Sequence, residues 1–191
     1  MDFSLLLLLA VLVVVVFFGI FIYNNLVTLK HSVSKSWSNI DVLLKQRHDE
    51  LPKLVEVCKQ YMQYEQETLE KITRARSAVM EAREGGDIKQ LGQAESQLRM
   101  GLGHLFALAE NYPDLKANDT VSQLTEELTS TENRVAFARQ AYNDWSTSFN
   151  TYRQSFPTVL LASLFGFGEN RRWLVMQDSE AIQQVPAVVL S

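Results

Sequence analysis

The sequence predicts an all-α protein: an N-terminal transmembrane helix followed by an antiparallel up-and-down four-helix bundle. Three observations predict it. Residues 3–22 form one apolar run without a charge. Beyond it, apolar residues recur at spacings of three and four, the period of a helix with one buried face. Only four prolines and eight glycines interrupt 191 residues. The chain divides into a transmembrane anchor (1–23), a helical bundle (24–157), a short apolar membrane-proximal segment (158–168) and a tail (169–191).

The apolar run reads FSLLLLLAVLVVVVFFGIFI, with only Ser4 and Gly19 outside the strongly apolar set. About 20 such residues cross the hydrocarbon core as a helix, which satisfies every backbone amide internally. A cleaved signal peptide needs a basic start, a shorter apolar core and a small-residue cleavage site. Here Met1-Asp2 precedes the run and Ile22-Tyr23-Asn24-Asn25 follows it, so an anchor is expected. Tyr23 sits where an interfacial aromatic belongs. Lys30 and Lys35 follow the run and no Lys or Arg precedes it. The positive-inside rule then places the bundle in the cytoplasm and the N-terminus outside.

Residues 24–84 carry helical periodicity through Leu26, Leu29, Val33, Trp37, Ile40 and Leu44, then Leu51, Leu54, Cys58 and Tyr61, then Leu69, Ile72 and Val79. Pro52 lacks an amide and crowds the carbonyl four residues back, which predicts a kink or a restart, with Asp49 available as a cap. Two arrangements follow. If the chain reverses near Pro52, helices 24–51, 53–84, 87–110 and 119–155 form four antiparallel elements. The fourth then ends at the bilayer, where the first began, bringing Leu160, Leu161, Phe165 and Phe167 to the membrane surface. If instead 24–84 is one kinked helix of about 90 Å, the arrangement is three-helical. Val33, Trp37 and Ile40 then lack partners within the chain, and self-association must bury them.

Gly85-Gly86-Asp87 marks a turn. Helix 87–110 carries Ile88, Leu91, Leu98, Leu102, Leu105 and Ala109, and its Gly92, Gly101 and Gly103 imply close helix packing. Asn111-Tyr112-Pro113-Asp114 ends it, and Asn118 or Asp119 can cap the next helix. Helix 119–155 has the most regular, coiled-coil-like stripe: Val121, Leu124, Leu128, Val135, Ala138, Tyr142, Trp145, Phe149, Tyr152 and Phe156, with Thr131 filling the gap. Phe156-Pro157 stops it. Residues 158–168 are apolar but too short to span. The tail loses helical period, and Val185–Leu190 is an apolar end.

The composition limits function. With 18 Lys+Arg against 22 Asp+Glu, the chain has no general attraction for nucleic acid, whose binding rests on phosphate neutralisation. The single Cys58 excludes an internal disulfide and a cysteine-based zinc site, and its place on an apolar stripe marks it as core. His31, His48 and His104 fit neither H-E-x-x-H nor Glu-x-x-His. Neither a phosphate loop nor a nucleophile elbow is present. Glu65, Glu67 and Glu70 read as a solvated face. No cofactor and no catalytic group is expected. One polar constellation stands out: Asp41 and Arg47 among apolar residues of the first helical run, and Glu132, Asn133, Arg139 and Asn143 on the last. It reads either as surface ion pairs, worth little, or as an interhelical network that sets register.

Several ordered stretches resemble the LemA family of bacterial membrane proteins: Tyr23-Asn24-Asn25-Leu26-Val27, Trp37-Ser38-Asn39-Ile40-Asp41-Val42, Leu44-Lys45-Gln46-Arg47, Leu51-Pro52-Lys53-Leu54-Val55, and Asn111-Tyr112-Pro113-Asp114-Leu115-Lys116-Ala117-Asn118. Thr131-Glu132-Asn133-Arg134, Ala138-Arg139, Tyr142-Asn143, Phe156-Pro157 and Gly166-Phe167 complete the pattern. The likeness runs to about residue 168; the tail departs from it. It implies a single-pass protein of the bacterial inner membrane with a cytoplasmic four-helix bundle, favouring reversal near Pro52, and it brings no catalytic residue. The resulting expectation is a non-catalytic scaffold, self-associating in the bilayer. The alternatives are an adaptor presenting clients to a membrane protease or envelope quality-control system through its tail, and an enzyme with an unrecognised site.

Overall fold

The computed structural model describes residues 3–176, and all secondary structure among them is helical. The elements are α1 (Phe3–Tyr61), α2 (Gln66–Glu84), α3 (Ile88–Ala109), α4 (Pro113–Lys116), α5 (Asp119–Gln154) and α6 (Thr158–Ala162). They fall into two compact units: residues 3–39 with 140–172, and residues 40–139 with 173–176.

The structure corrects both arrangements considered for the first helical run. Pro52 neither restarts nor ends a helix, because α1 continues through it to Tyr61. Nor does one helix reach residue 84, because Met62–Glu65 separates α1 from α2. The physical reason lies at the carbonyl that Pro52 cannot bond. In a helix the amide of residue 52 would donate to the carbonyl of His48. The Arg76 guanidinium of α2 donates to that carbonyl instead, at 3.0 Å. The orphaned acceptor is satisfied from another helix, so α1 need not break.

Contacts in the second unit fix the direction of α2. Arg76 faces His48, and Arg83 faces Asp41. Seven residues forward on α2 match seven residues back on α1, so the two run antiparallel. The reversal at 62–65 contains neither Gly nor Pro. The second reversal, Glu84 to α3, uses Gly86 at φ +68, a backbone region that glycine enters without penalty. Asp87 then caps α3 by accepting from the amides of Lys89 and Gln90. Before α5, Asn118 accepts from the amides of Thr120 and Val121 and donates to the Tyr61 hydroxyl. Its sequon-like context is a helix cap.

The cores follow the predicted stripes with one change of register. On α1, Leu26, Val33, Ile40, Leu44, Leu51, Leu54 and Cys58 are buried. Val33 and Ile40 are therefore covered, and Trp37 packs on Tyr142 with ring centroids 5.3 Å apart. The residues whose burial would have required self-association have partners within the chain. On α5, Val121, Leu124, Leu128, Thr131, Val135, Tyr142 and Phe149 are buried, but Trp145 is exposed, as is Phe156 just beyond the helix end. Ser146 takes the inner position assigned to Trp145. At 3.6 residues per turn, positions three and four beyond Tyr142 both adjoin the stripe, and the smaller side chain faces inward.

Candidate functional site

The chain's most unusual grouping begins from two stripe positions that carry charge. Along α1 the inner face runs Ile40, Leu44, Arg47, Leu51 and Leu54. Along α3 it runs Leu91, Glu95, Leu98 and Leu102. All of these are buried, Arg47 at 2 % exposure and Glu95 at 1 %. Arg47 Nη2 donates to Glu95 and Nη1 to Glu132 of α5. Arg99 Nε lies 3.5 Å from the other Glu132 oxygen. An isolated buried charge costs several kcal/mol, so it persists only when paired. Burial opposes the charge on Arg47, but Glu95 and Glu132 outweigh it and hold the guanidinium pKa above its ordinary value.

Two smaller polar contacts tie α1 to α2. Arg83 Nη2 donates to Asp41 at 2.9 Å, and Nε also donates to it. The bond from Arg83 is the main reason the Asp41 pKa is lowered. Arg76 Nη2 lies 2.8 Å from His48 Nε2. Arginine only donates, so Nε2 accepts and the ring is neutral with its proton on Nδ1. Burial, then the positive charge of Arg76, pushes the His48 pKa down.

A third feature lies beyond α6, where the chain has no regular secondary structure and α5 holds it. Arg153 donates to the Gly168 carbonyl at 2.8 Å and to Asn170 Oδ1 at 2.5 Å. The Asn150 side-chain amide bonds Arg171 in both directions, donating to its carbonyl and accepting from its amide, each at 2.8 Å. This is the pairing that one strand would offer another. Tyr142 donates to the Arg172 carbonyl. In the second unit, Leu174 and Met176 are buried. A Cβ on Gly92 would stand 2.1 Å from the Val175 carbonyl oxygen. Gly92 thus admits a strap rather than a helix; Gly101, facing Ile72 of α2, is the glycine that serves helix packing.

A fourth feature closes the first unit. The Tyr23 ring meets Phe165 and Phe167 edge-on, with centroids 5.4 and 6.1 Å away. Phe149 reaches Phe167 from α5, and Lys30 lies over the Phe167 ring. The segment after α5 therefore returns to the residue that ends the apolar run.

The predicted network residues are distributed as follows. Arg47 and Glu132 meet; Asp41 pairs separately with Arg83. Asn133 is exposed. Arg139 lines a narrow crevice beside Arg47 and Glu95, and Asn143 belongs to the other unit. Glu95, Arg99, Arg76 and Arg83 were not singled out. A lone acid in the slot between Leu91 and Leu98 was the signal for Glu95. Of the predicted membrane-contact residues, Leu160 is exposed, Leu161 and Phe165 are half-buried and Phe167 is buried. Val185–Leu190 lies outside the described residues. Glu67 and Glu70 make exposed pairs with Lys71 and Arg74 one turn on. Burial pushes the Cys58 thiol up to about 11, so it is protonated at neutral pH. Among the described residues no group of His, Cys, Asp and Glu is placed to hold a metal ion.

A model of the LemA family matches residues 36–189, which includes the tail that the resemblance had set apart. The chain is 26% identical over 168 residues to magnetosome protein MamQ 2 of Paramagnetospirillum magneticum, covering 76% of this chain and 62% of that protein. It has the same identity and coverage with magnetosome protein MamQ of Magnetospirillum gryphiswaldense. It is 30% identical over 141 residues to protein LemA of Metamycoplasma hominis, covering 73% of this chain and 63% of the relative. The chain thus spans a little under two thirds of the length of these curated relatives. None of their names states a reaction.

Proposed function

The chain belongs to the LemA family, and from that premise we propose that it is a non-catalytic scaffold tethered to a bacterial inner membrane by the first third of α1. The observation that carries the reading is the change of environment along that single helix. Every side chain from Phe3 to Phe18 is exposed, whereas from Ile22 onward α1 has a buried stripe. A patch that apolar is not left in water. The segment is long and apolar enough to cross a bilayer, where its exposure is favourable.

In this reading α1 beyond Tyr23, α2, α3 and α5 form an antiparallel four-helix bundle. Its buried ion cluster fixes which faces meet, a role supported by charges contributed from three different helices. Lys30 and Lys35, which follow the apolar run, support a cytoplasmic bundle by the positive-inside rule. The reading is supported by polar cross-links between helices and by the protonated state of the buried Cys58 thiol.

Alkaline carbonate extraction of membranes containing the full chain tests the tether. The protein is expected to stay in the pellet and to leave it only with detergent; release by carbonate overturns the reading. In the same membranes, a Ser38→Cys variant reports the side. It is expected to react with an impermeant maleimide only after the cells are opened, with buried Cys58 silent throughout.

A further inference from the structure

We propose that the segment following α5 makes a second contact with the bilayer, through an apolar face formed by Phe156, Leu160 and Leu164 that lies in the interfacial layer beside the emerging anchor. This rests on the reading of residues 3–22 as a membrane span. The occupant of the face is the lipid surface in which that span sits.

The face is defined by exposure. Phe156 is 80 %, Leu160 64 % and Leu164 79 % exposed, with Val159 beside them at 46 %. The three lie four residues apart, whereas Thr158 and Ala162 are buried. Thus α6 turns Thr158 and Ala162 inward and Val159 and Leu160 outward, with Leu161 half-buried and Phe156 and Leu164 flanking the helix; its most exposed side chains are apolar, unlike the outer face of an amphipathic helix in water. No charged residue occurs from Ser155 to Gly168.

Its position is defined by Tyr23. Phe165 packs edge-on against that ring at 5.4 Å, and Leu164 is its neighbour in the chain. Leu160 lies one helical turn further, about 6 Å along a helix axis. Headgroup layers are each about 5–8 Å deep, by the difference between total and hydrocarbon thickness. Large side chains within that reach of the span's end meet lipid without further movement of the chain. The flanks carry a net positive charge: Arg171 stands over Phe149, Lys30 over Phe167, and Arg172 is exposed, against one exposed acid, Glu169. Basic residues around an apolar face are the composition of interfacial segments. The surface differs from the one expected of the sequence, because Phe165 and Phe167 serve as the inner packing that presents it.

Spin labels on the full chain in vesicles of phosphatidylethanolamine and phosphatidylglycerol test the assignment. Single cysteines replace Leu12, Leu160, Leu164 and Gln140, the last an exposed polar position on α5. Accessibility to oxygen is compared with accessibility to a water-soluble nickel chelate. Leu160 and Leu164 are expected to shift towards oxygen relative to Gln140, at a depth shallower than Leu12. If Leu12 prefers oxygen but Leu160 and Leu164 behave as Gln140 does, the second contact is wrong and the tether stands. If Leu12 itself is open to nickel, the tether falls and the second contact falls with it. Mutual broadening of Leu160 labels, with exclusion of both reagents, would assign the face to a second copy of the chain and overturn the lipid assignment. The exposed positions carry no core packing, so the variants are expected to fold.

Discussion

The two ends of α1 invert the usual placement of side chains in opposite ways. Towards the N-terminus, apolar residues from Phe3 to Phe18 face outward. Further on, at Arg47, a charge faces inward. The backbone follows the same division. The outer stretch has no proline, and in lipid no outside donor would satisfy a carbonyl that one released. The inner stretch carries Pro52, because Arg76 from α2 takes the carbonyl it frees. On the proposed tether, one helix obeys two solvents. What is tolerated at each position depends on whether lipid, water or a neighbouring helix supplies the missing partner.

Arg47 gives the largest expected break in this comparison. Replacing it by methionine fills much of its volume but leaves Glu95 buried without its guanidinium. Breaking a buried pair in this way costs about 3–5 kcal/mol. Denaturant unfolding of the detergent-solubilised chain should show that loss. Adding Glu95→Leu and Glu132→Gln should recover most of it, since a buried ion cluster is often no more stable than an apolar replacement. A cost for Arg47→Met below about 1 kcal/mol, the range of exposed pairs, would show that the cluster is open to water.

The second break concerns the backbone. Arg76→Met removes the donor to the part-buried His48 carbonyl; a fully buried unsatisfied acceptor costs about 1–3 kcal/mol, so the low end of that range is expected. In a Pro52→Ala background the amide of residue 52 can bond that carbonyl, so the same Arg76→Met change should cost clearly less. The two changes should be coupled in a double-mutant cycle by unfolding. Additive costs would mean that Arg76 acts through His48 or through packing, and that α1 tolerates Pro52 for another reason.

These cases show why some of the molecule was legible in the sequence. The apolar run, the stripes, the turn at Gly85-Gly86-Asp87 and the cap at Asn118 are local patterns, visible within one or two turns. Arg47 and Glu132 stood out as charges near apolar periodic positions. The turn at 62–65 did not, because no glycine or proline marks it. Pro52, which does carry a breaker's signature, was overruled by a donor 24 positions away in the sequence. The strap was also hidden: Asn150 and Arg153 read as surface residues of a helix, and their partners at 168–171 belong to a segment without period. Phe165 and Phe167 pack on Tyr23, and hydrophobicity alone does not separate a residue that packs from one that faces outward.

The smallest expected effect depends on pH and separates two contacts between α1 and α2. His48 has a lowered pKa in the folded chain, from burial and then from Arg76, with Arg83 adding to the fall and Asp49 opposing it. Near its ordinary value of 6.5 the unfolded chain therefore binds more protons than the folded one. Stability contributed by the neutral ring is complete above that value and is lost as pH falls from there towards the lowered folded value. Asp41 behaves in the same direction at a lower range. Its folded pKa is depressed by the bond from Arg83, so its contribution holds above 3.8 and fades as pH falls below it. Unfolding measured from pH 8 to 3 should thus lose stability in two windows. His48→Gln, which keeps an acceptor for Arg76, should flatten the upper window and leave the lower. Asp41→Asn should do the reverse. If the upper window persists in His48→Gln, a group other than His48 produces it, and the neutral ring facing Arg76 is not the source of that stability.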